Sequence, residues 1–152
     1  MPGPKRKSPR LREYDYATAG AYFVTVCARD RSCLFGAIAD DEMKLNRLGR
    51  TVEQCWLEIP VHFPTVALDA FVVMPNHIHG LVVLSRAGHA PPLHLAIGSF
   101  KSAASHAAGH SVWQRSFYDR VIRDDEELRA LREYVEENPL RWALDLENPA
   151  SR

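Results

Sequence analysis

Residues 66–84 read VALDAFVVMPNHIHGLVVL, which is two apolar runs separated by a turn signal. The flanking segments, Val66–Met74 and His77–Leu84, are rich in β-branched residues, as is typical of strands with a buried face. Pro75 and Asn76 between them favour a turn. The stretch therefore predicts an antiparallel hairpin, and the rest of the fold is built outward from it.

Five further segments have the periodicity of a strand or a helix. They are strands in 22–28 and within 112–123, and helices over 45–59, 93–108 and 124–137. Pro60 is expected to end the first helix, and Asn138-Pro139 the last. Two acidic runs, 40–42 and 124–127, stand where helices could begin, because the helix dipole favours acids there.

The order β-α-β-β-α-β-α defines the predicted fold class. It is an α+β, ferredoxin-like split β-α-β sandwich with an antiparallel sheet and an added C-terminal helix. A chain of 152 residues, 46% hydrophobic, suits one globular domain. We expect that domain over residues 13–144, with a basic arm at 1–12 and a tail at 145–152.

The charge pattern excludes some classes of protein. Nineteen basic residues balance nineteen acidic ones, so the chain is not a globally basic nucleic-acid binder. The first twelve residues nevertheless hold five cations and no acid, namely Lys5, Arg6, Lys7, Arg10 and Arg12. This segment is either a solvated tail or an arm that neutralises phosphates. No apolar run predicts a membrane span or a secretory signal, and three cysteines without a CxxC pair favour a reducing cytoplasm.

His77 and His79 are the first candidate site. Side chains two apart on a strand point to the same face, so the two imidazoles project together while Ile78 points to the other face. Two adjacent imidazoles could share a divalent metal ion. The alternative is a pair of half-exposed histidines hydrated beside a turn. Two ligands are too few to hold a metal, so further ligands would have to come from elsewhere.

Tyr134 and Asn138 are the second candidate site. They are four apart in a predicted helix and so share one face. An Asn carbonyl oxygen suits magnesium or manganese, and a tyrosine beside such a metal could act as a covalent nucleophile. The alternatives are a core tyrosine and an ordinary helix-ending Asn. The other four tyrosines are rivals for the nucleophile, and the residues alone do not exclude Tyr118.

Several longer motifs resemble the REP-associated tyrosine transposases of the His-hydrophobic-His superfamily. The matching stretches are 22–36, 72–80 with its His-Ile-His, 99–103, 113–123 and 131–142. They occur in the same order and together span residues 12–144. Such a combination of motifs is far more specific than an HxH pattern alone.

The resemblance implies a metal-dependent single-stranded DNA endonuclease and strand transferase acting in transposition. It implies Tyr134 as the nucleophile, His77, His79 and Asn138 as ligands of Mg²⁺ or Mn²⁺, and a structural role for Tyr118. Its substrates would be repeated extragenic palindromes, which fold as DNA hairpins, and its location would be the cytoplasm, at the nucleoid. The chain would work as a monomer or a homodimer. Candidate DNA contacts are the five cations of the arm with Lys101, Arg115 and Arg120.

Two other functions remain open at this point. One is a non-catalytic module that binds single-stranded nucleic acid on a ferredoxin-like sheet. The other is a metal-dependent phosphoesterase that uses water. The first predicts no covalent adduct and binding that survives removal of metal, and the second predicts cleavage without a protein–DNA bond.

Overall fold

The computed structural model describes residues 20–84 and 93–144. Its strands are Gly20–Cys27 (β1), Gly36–Ala39 (β2), Glu42–Leu45 (β3), Val66–Met74 (β4), His77–Leu84 (β5) and Tyr118–Ile122 (β6). Its α-helices are Arg47–Leu57 (α1), Ile59–His62 (α2), Leu93–Ala108 (α3) and Asp125–Glu137 (α4), with 3-10 turns at Arg29–Arg31 and Trp142–Leu144. The predicted arm, 1–12, and tail, 145–152, lie outside the described residues.

The main sheet has the strand order β4-β5-β1-β6, and every neighbouring pair is antiparallel. The two central strands are β1 and β5. They are the first and third of this sheet's four strands in chain order, which is the split arrangement predicted. The hairpin of β4 and β5 is also as predicted, with Met74 paired to His77 across the Pro75-Asn76 turn. The α+β, ferredoxin-like fold is therefore confirmed.

One face of this sheet forms the main core. Apolar side chains of the four strands pack there against α1 and α3, and the cluster includes Tyr22, Val24, Ile78, Val82, Trp56, Ile97 and Phe100. Gly80 lets the indole of Trp56 reach the backbone of β5, because a Cβ at that position would lie 2.3 Å from Trp56 Cζ2. The strand that holds both histidines is thus supported from behind by a close ring contact.

The opposite face carries α4, which packs on β4 and β5. Asp124 caps this helix by accepting a 2.8 Å hydrogen bond from the Glu127 backbone N–H, as its sequence predicts. Val135 of this helix is buried. Since His77 and His79 alternate with the core-facing Ile78, they point to this second face, toward α4.

A small hairpin stands where a helix start was expected at 40–42, and that prediction is wrong. Strands β2 and β3 pair from Gly36 with Leu45 to Ala39 with Glu42. Asp40 and Asp41 form the two-residue turn, with φ of 54° and 62°. Aspartate tolerates this left-handed conformation, and two such residues match a hairpin turn. The N-cap of α1 is instead Asn46, whose Oδ1 accepts from the Gly49 N–H at 2.8 Å.

The sequence predicted that Pro60 ends the first long helix, and this prediction is wrong. That helix ends at Leu57, and Pro60 lies in the first turn of the short α2. Proline is tolerated in a first turn because the N–H it lacks would have no partner within the helix. Among the residues that the structure describes, no helix is long and apolar enough to cross a bilayer.

Candidate active site

The two histidines of β5 lie side by side and are buried. Their ring centroids are 4.4 Å apart, and their exposed fractions are 0% for His77 and 6% for His79. The alternative of half-exposed, hydrated histidines is therefore wrong. A buried imidazole pair needs polar partners, and each ring has one.

Each ring has its Nδ1 within hydrogen-bond distance of a neighbouring polar atom. Thr25 Oγ1 lies 2.8 Å from His79 Nδ1, and Asn76 Oδ1 lies 2.8 Å from His77 Nδ1. An amide oxygen only accepts, so the Nδ1 of His77 carries the proton and donates to Asn76. Asn76 is oriented in turn, because its Nδ2 donates to the Arg31 carbonyl at 3.2 Å.

These partners set the orientation of the imidazoles. A ring that donates through Nδ1 presents the lone pair of Nε2, which is the arrangement usual in metal-ligating histidines. Burial lowers the pKa of His79 well below its ordinary value, and the neighbouring His77 adds to this. A neutral ring is the form that can bind a metal.

Sequence reasoning missed Thr25 and Asn76 as members of the site. Asn76 directly precedes His77, so adjacency was a signal for it. Thr25 is 54 residues away from His79 in the chain, and only the pairing of β1 with β5 brings the two opposite one another.

Tyr134 lies against His79. Helix α4 brings the phenol ring to a centroid distance of 5.5 Å from the imidazole, and 43% of Tyr134 is exposed. Phe23 of β1 contacts both rings, stacking on His79 at 5.1 Å and meeting the edge of Tyr134 at 6.0 Å. The alternative of a core tyrosine is wrong, because the side chain is at the surface beside the histidine pair.

Asn138 is buried and has a fixed orientation. Its Nδ2 donates a 2.6 Å hydrogen bond to the carbonyl oxygen of Tyr134. Because a carbonyl only accepts, the nitrogen must face Tyr134 and the Oδ1 must point elsewhere. Within the described residues, that buried Oδ1 receives no hydrogen bond. Buried polar atoms almost always have a partner, so this one suits a ligand.

The chain segment around Asn138 runs along the histidine pair. Tyr134, one turn before it, contacts His79, and Trp142, one turn after it, lies 6.3 Å from the ring of His77. Two imidazole nitrogens and an amide oxygen are donors that a divalent cation accepts. In the described part of the chain, no group of three His, Cys, Asp or Glu side chains could hold a metal. A metal here would therefore depend on the amide of Asn138.

The other tyrosines are placed differently. Tyr22 is buried in the main core. Tyr118 on β6 is 61% exposed and pairs with Thr25, so it shares the sheet face of His79 but lies two strands away. Its exposure shows that it does not pack in the core. Tyr14 and Tyr16 lie outside the described residues.

The cations predicted to contact DNA differ in whether their charge is already paired within the protein. Lys101 Nζ donates to the carbonyls of Gln114, Arg115 and Ser116 at 2.9, 3.1 and 3.4 Å, and burial lowers the pKa of this lysine. The Arg120 guanidinium forms an ion pair with Glu127. Arg115 is exposed, and the five cations of the arm lie outside the described residues.

Two proteins of Haemophilus influenzae are similar to this chain in sequence. No protein-family model matches the chain. An uncharacterized protein of Haemophilus influenzae is 35% identical over 164 aligned residues, covering 92% of this chain and 91% of that protein. Another protein of Haemophilus influenzae, assigned as a REP-associated tyrosine transposase, is 25% identical, with 84% of this chain and 74% of that protein covered.

Two solved structures share the architecture. A REP-associated tyrosine transposase bound to a REP hairpin superposes with a TM-score of 0.69 at 24% identity, covering 91% of this chain and 76% of that one. A protein of Deinococcus radiodurans assigned as a transposase gives 0.51 at 16% identity, covering 85% and 96%.

The chain is an α+β protein with the fold of the solved transposases. The chain belongs to the same family as the first Haemophilus influenzae relative, and it resembles the REP-associated tyrosine transposases in sequence and in fold.

Proposed function

We propose that this chain nicks and rejoins single-stranded or hairpin DNA with Tyr134 as its covalent nucleophile. The observation that carries the proposal is a partly exposed phenol with its ring 5.5 Å from that of a buried histidine in an adjacent pair. The phenol can reach a substrate from solvent, while the imidazoles and Asn138 supply donor atoms beside it. A tyrosine packed in the core could not do this.

The chemical step is a transesterification. The Tyr134 phenol loses its proton, and its oxygen attacks the phosphorus of a phosphodiester. The bond from phosphorus to the 3′-oxygen breaks, and that oxygen takes a proton to become a free 3′-hydroxyl. The 5′-phosphate stays on the tyrosine. A second 3′-hydroxyl can reverse the step and rejoin strands without ATP, because the number of phosphate ester bonds does not change.

The nucleophile and the phosphate both need help at neutral pH. A phenol has a reference pKa of about 10, so little of it is ionised near pH 7. A divalent cation, Mg²⁺ or Mn²⁺, would supply the charge that favours the phenolate and binds the non-bridging oxygens of the phosphate. His77, His79 and Asn138 would hold it, with Asn76 and Thr25 orienting the two rings.

The substrate class is proposed from the relatives. One solved relative is bound to a REP hairpin. A DNA hairpin with unpaired flanks presents a protein with a duplex of defined shape to bind and a single strand to cleave. Acting on such DNA would place this chain at the bacterial nucleoid, as a monomer or a homodimer. The exposed ring of Tyr118 and the cations of the arm are candidates for the contacts.

The test is formation of a covalent adduct. The protein is incubated with Mn²⁺ and 3′-end-labelled hairpin DNA carrying unpaired flanks, then denatured and run on a gel. We expect a labelled band at the mass of protein plus DNA, lost on chelation of the metal, with the DNA mapped to the peptide that contains Tyr134. Binding that survives chelation without an adduct would favour a non-catalytic module. Cleavage without an adduct would favour a water-dependent phosphoesterase.

A further inference from the structure

Helix α4 is joined by ion pairs to both edge strands of the main sheet. Arg132 of the helix pairs with Asp69 of β4, and Glu127 of the helix pairs with Arg120 of β6. The strand order β4-β5-β1-β6 puts these partners at opposite edges. Between the two attachments lie the central strands, which carry His79 and Phe23, the ring neighbours of Tyr134.

The pair at β4 has the geometry of a specific contact. Arg132 Nε donates to Asp69 Oδ1 at 2.9 Å and its Nη2 to Oδ2 at 2.7 Å, so two parallel bonds fix the planes of both groups. Asp69 lies where the β4–β5 register shifts, between Leu68 and Phe71. Such a bulge redirects side chains. The 2.6 Å bond from the Ala70 N–H also holds the carboxylate.

The pair at β6 is anchored at the start of the helix. One carboxylate oxygen of Glu127 meets the Arg120 guanidinium, and the other accepts from the Arg123 backbone N–H at 2.8 Å. The backbone N–H of Glu127 donates to the capping carboxylate of Asp124. Glu127 therefore ties the first turn of α4 to the strand that precedes it.

We propose that Asp69–Arg132 and Arg120–Glu127 are positioning pairs that set α4 across the sheet so that Tyr134 lies against His79. The inference rests on the proposed role of Tyr134 as the nucleophile. None of the four residues needs to touch DNA. Arg132 is only two residues before Tyr134, so a shift or rotation of the helix at Arg132 is passed directly to the phenol.

The expected signature is a loss of rate rather than of stability. In both pairs the arginine is exposed to solvent and the carboxylate is only partly exposed, so each pair adds a limited amount to the free energy of unfolding. A small displacement of a nucleophile from its attacking position, in contrast, can slow a reaction strongly. The pairs would thus matter far more for adduct formation than for folding.

The experiment compares Asp69→Asn and Arg120→Gln with the wild-type chain. The control is Lys44→Gln, which removes a more exposed ion pair, Lys44–Glu42, within β3 and away from α4. At saturating hairpin DNA and Mn²⁺, we expect each test variant to form the adduct about five- to ten-fold more slowly. The control should keep the wild-type rate. The dissociation constant for DNA should change by less than about two-fold in all three variants.

A charge swap tests whether the pair itself matters. Asp69→Arg combined with Arg132→Asp restores an ion pair in reverse and should recover part of the rate that either single change loses. A second readout needs no activity. Hydrogen exchange of the α4 amides should become faster in Asp69→Asn and Arg120→Gln and stay unchanged in the control.

The outcomes separate the alternatives. Weaker DNA binding by Arg120→Gln, with a flatter salt slope and an unchanged saturating rate, would make Arg120 a phosphate contact and overturn the inference for that pair. Wild-type exchange of α4 in both variants would overturn it altogether. If the wild-type chain forms no adduct, the proposed function fails, and hydrogen exchange alone then decides whether the pairs hold the helix.

Discussion

The side chain of Asn138 donates a 2.6 Å hydrogen bond to the backbone carbonyl of Tyr134, one helical turn earlier. The carbonyls of a last helical turn lack partners within the helix, and this bond supplies one. It also turns the Asn138 Oδ1 away from Tyr134. The end of the helix and the orientation of a candidate ligand are thus fixed by one contact.

The first prediction concerns the choice of tyrosine. Tyr134→Phe keeps the ring that meets Phe23 and His79 and removes only the oxygen, so we expect a folded protein that binds hairpin DNA and forms no adduct. Tyr118→Phe is the matched control and should still form one. Peptide mapping of the wild-type adduct checks the assignment. An adduct located on Tyr118 would reverse it.

The second prediction concerns orientation of the imidazoles. Thr25→Val removes the hydroxyl that lies 2.8 Å from His79 Nδ1 and keeps the shape of the side chain. Loss of such a partner typically weakens metal binding about ten-fold or more. Titration calorimetry with Mn²⁺ measures this. Thr51→Val, which removes a hydroxyl bonded to the Arg47 carbonyl on α1, should bind as the wild type does.

Replacement of the histidines themselves needs care, because both are buried. His77→Ala or His79→Ala would leave a cavity as well as remove a ligand, and cavities destabilise a fold. We therefore expect a lower melting temperature along with lost cleavage. Since valine nearly matches the shape of threonine, Thr25→Val leaves no such cavity and tests the orientation of the imidazole without removing a ligand.

The third prediction distinguishes two sets of cations. If the arm binds phosphates, deletion of residues 1–12 should flatten the slope of log affinity against log salt on single-stranded DNA. The change should be roughly 0.7 for each phosphate that the arm neutralises. Lys101→Met should instead leave that slope unchanged, because its ammonium is bonded to loop carbonyls. Removal of those bonds should cost about 1 kcal/mol of stability, measured by denaturant unfolding.

The fourth prediction is a pH dependence of stability. Hydrogen bonding to Arg132 holds the pKa of Asp69 below its ordinary value of 3.8. As pH falls through that ordinary value, the unfolded chain takes up a proton before the folded chain does, so stability falls. It continues to fall until the pH passes the folded pKa. Asp69→Asn should show less of this acid loss than the wild type, and identical acid profiles would contradict the assignment.

The fifth prediction concerns the support behind β5. Gly80→Ala places a methyl group 2.3 Å from Trp56 Cζ2, so the indole or the strand must move. Overpacking of this kind costs about 1–3 kcal/mol, which thermal unfolding can measure. Gly98→Ala is the control, because a Cβ there has no neighbour within 4 Å. It should be no less stable than the wild type, since alanine favours a helix.

Much of the fold follows from local patterns. The β4–β5 hairpin and the capped last helix are each encoded in neighbouring residues, as in the Pro75-Asn76 turn and the Asp124 cap. The β2–β3 hairpin escaped prediction because its strands are only four residues long and its Asp40-Asp41 turn resembles an acidic helix start. Aspartate is favoured both at the start of a helix and in a left-handed turn, so the residue type alone does not distinguish the two.

The candidate site was predictable where its members are close in sequence. His77 with His79 and Tyr134 with Asn138 follow from strand and helix periodicity. Thr25 and Phe23 depend on the pairing of β1 with β5, which a single sequence does not specify. Asp69 and Arg132 are 63 residues apart, and nothing local relates them.

Successive side chains of β5 point to opposite faces of the sheet, so one register sets both the core packing and the position of the two histidines. Were β5 to slip by one residue against its neighbours, Ile78 would turn toward α4 and both imidazoles would enter the apolar layer beneath α1 and α3. Such a chain would lose core packing and its candidate catalytic face in the same event. A variant that shifts the register of β5 should therefore lower the fraction of active molecules rather than the turnover of each molecule.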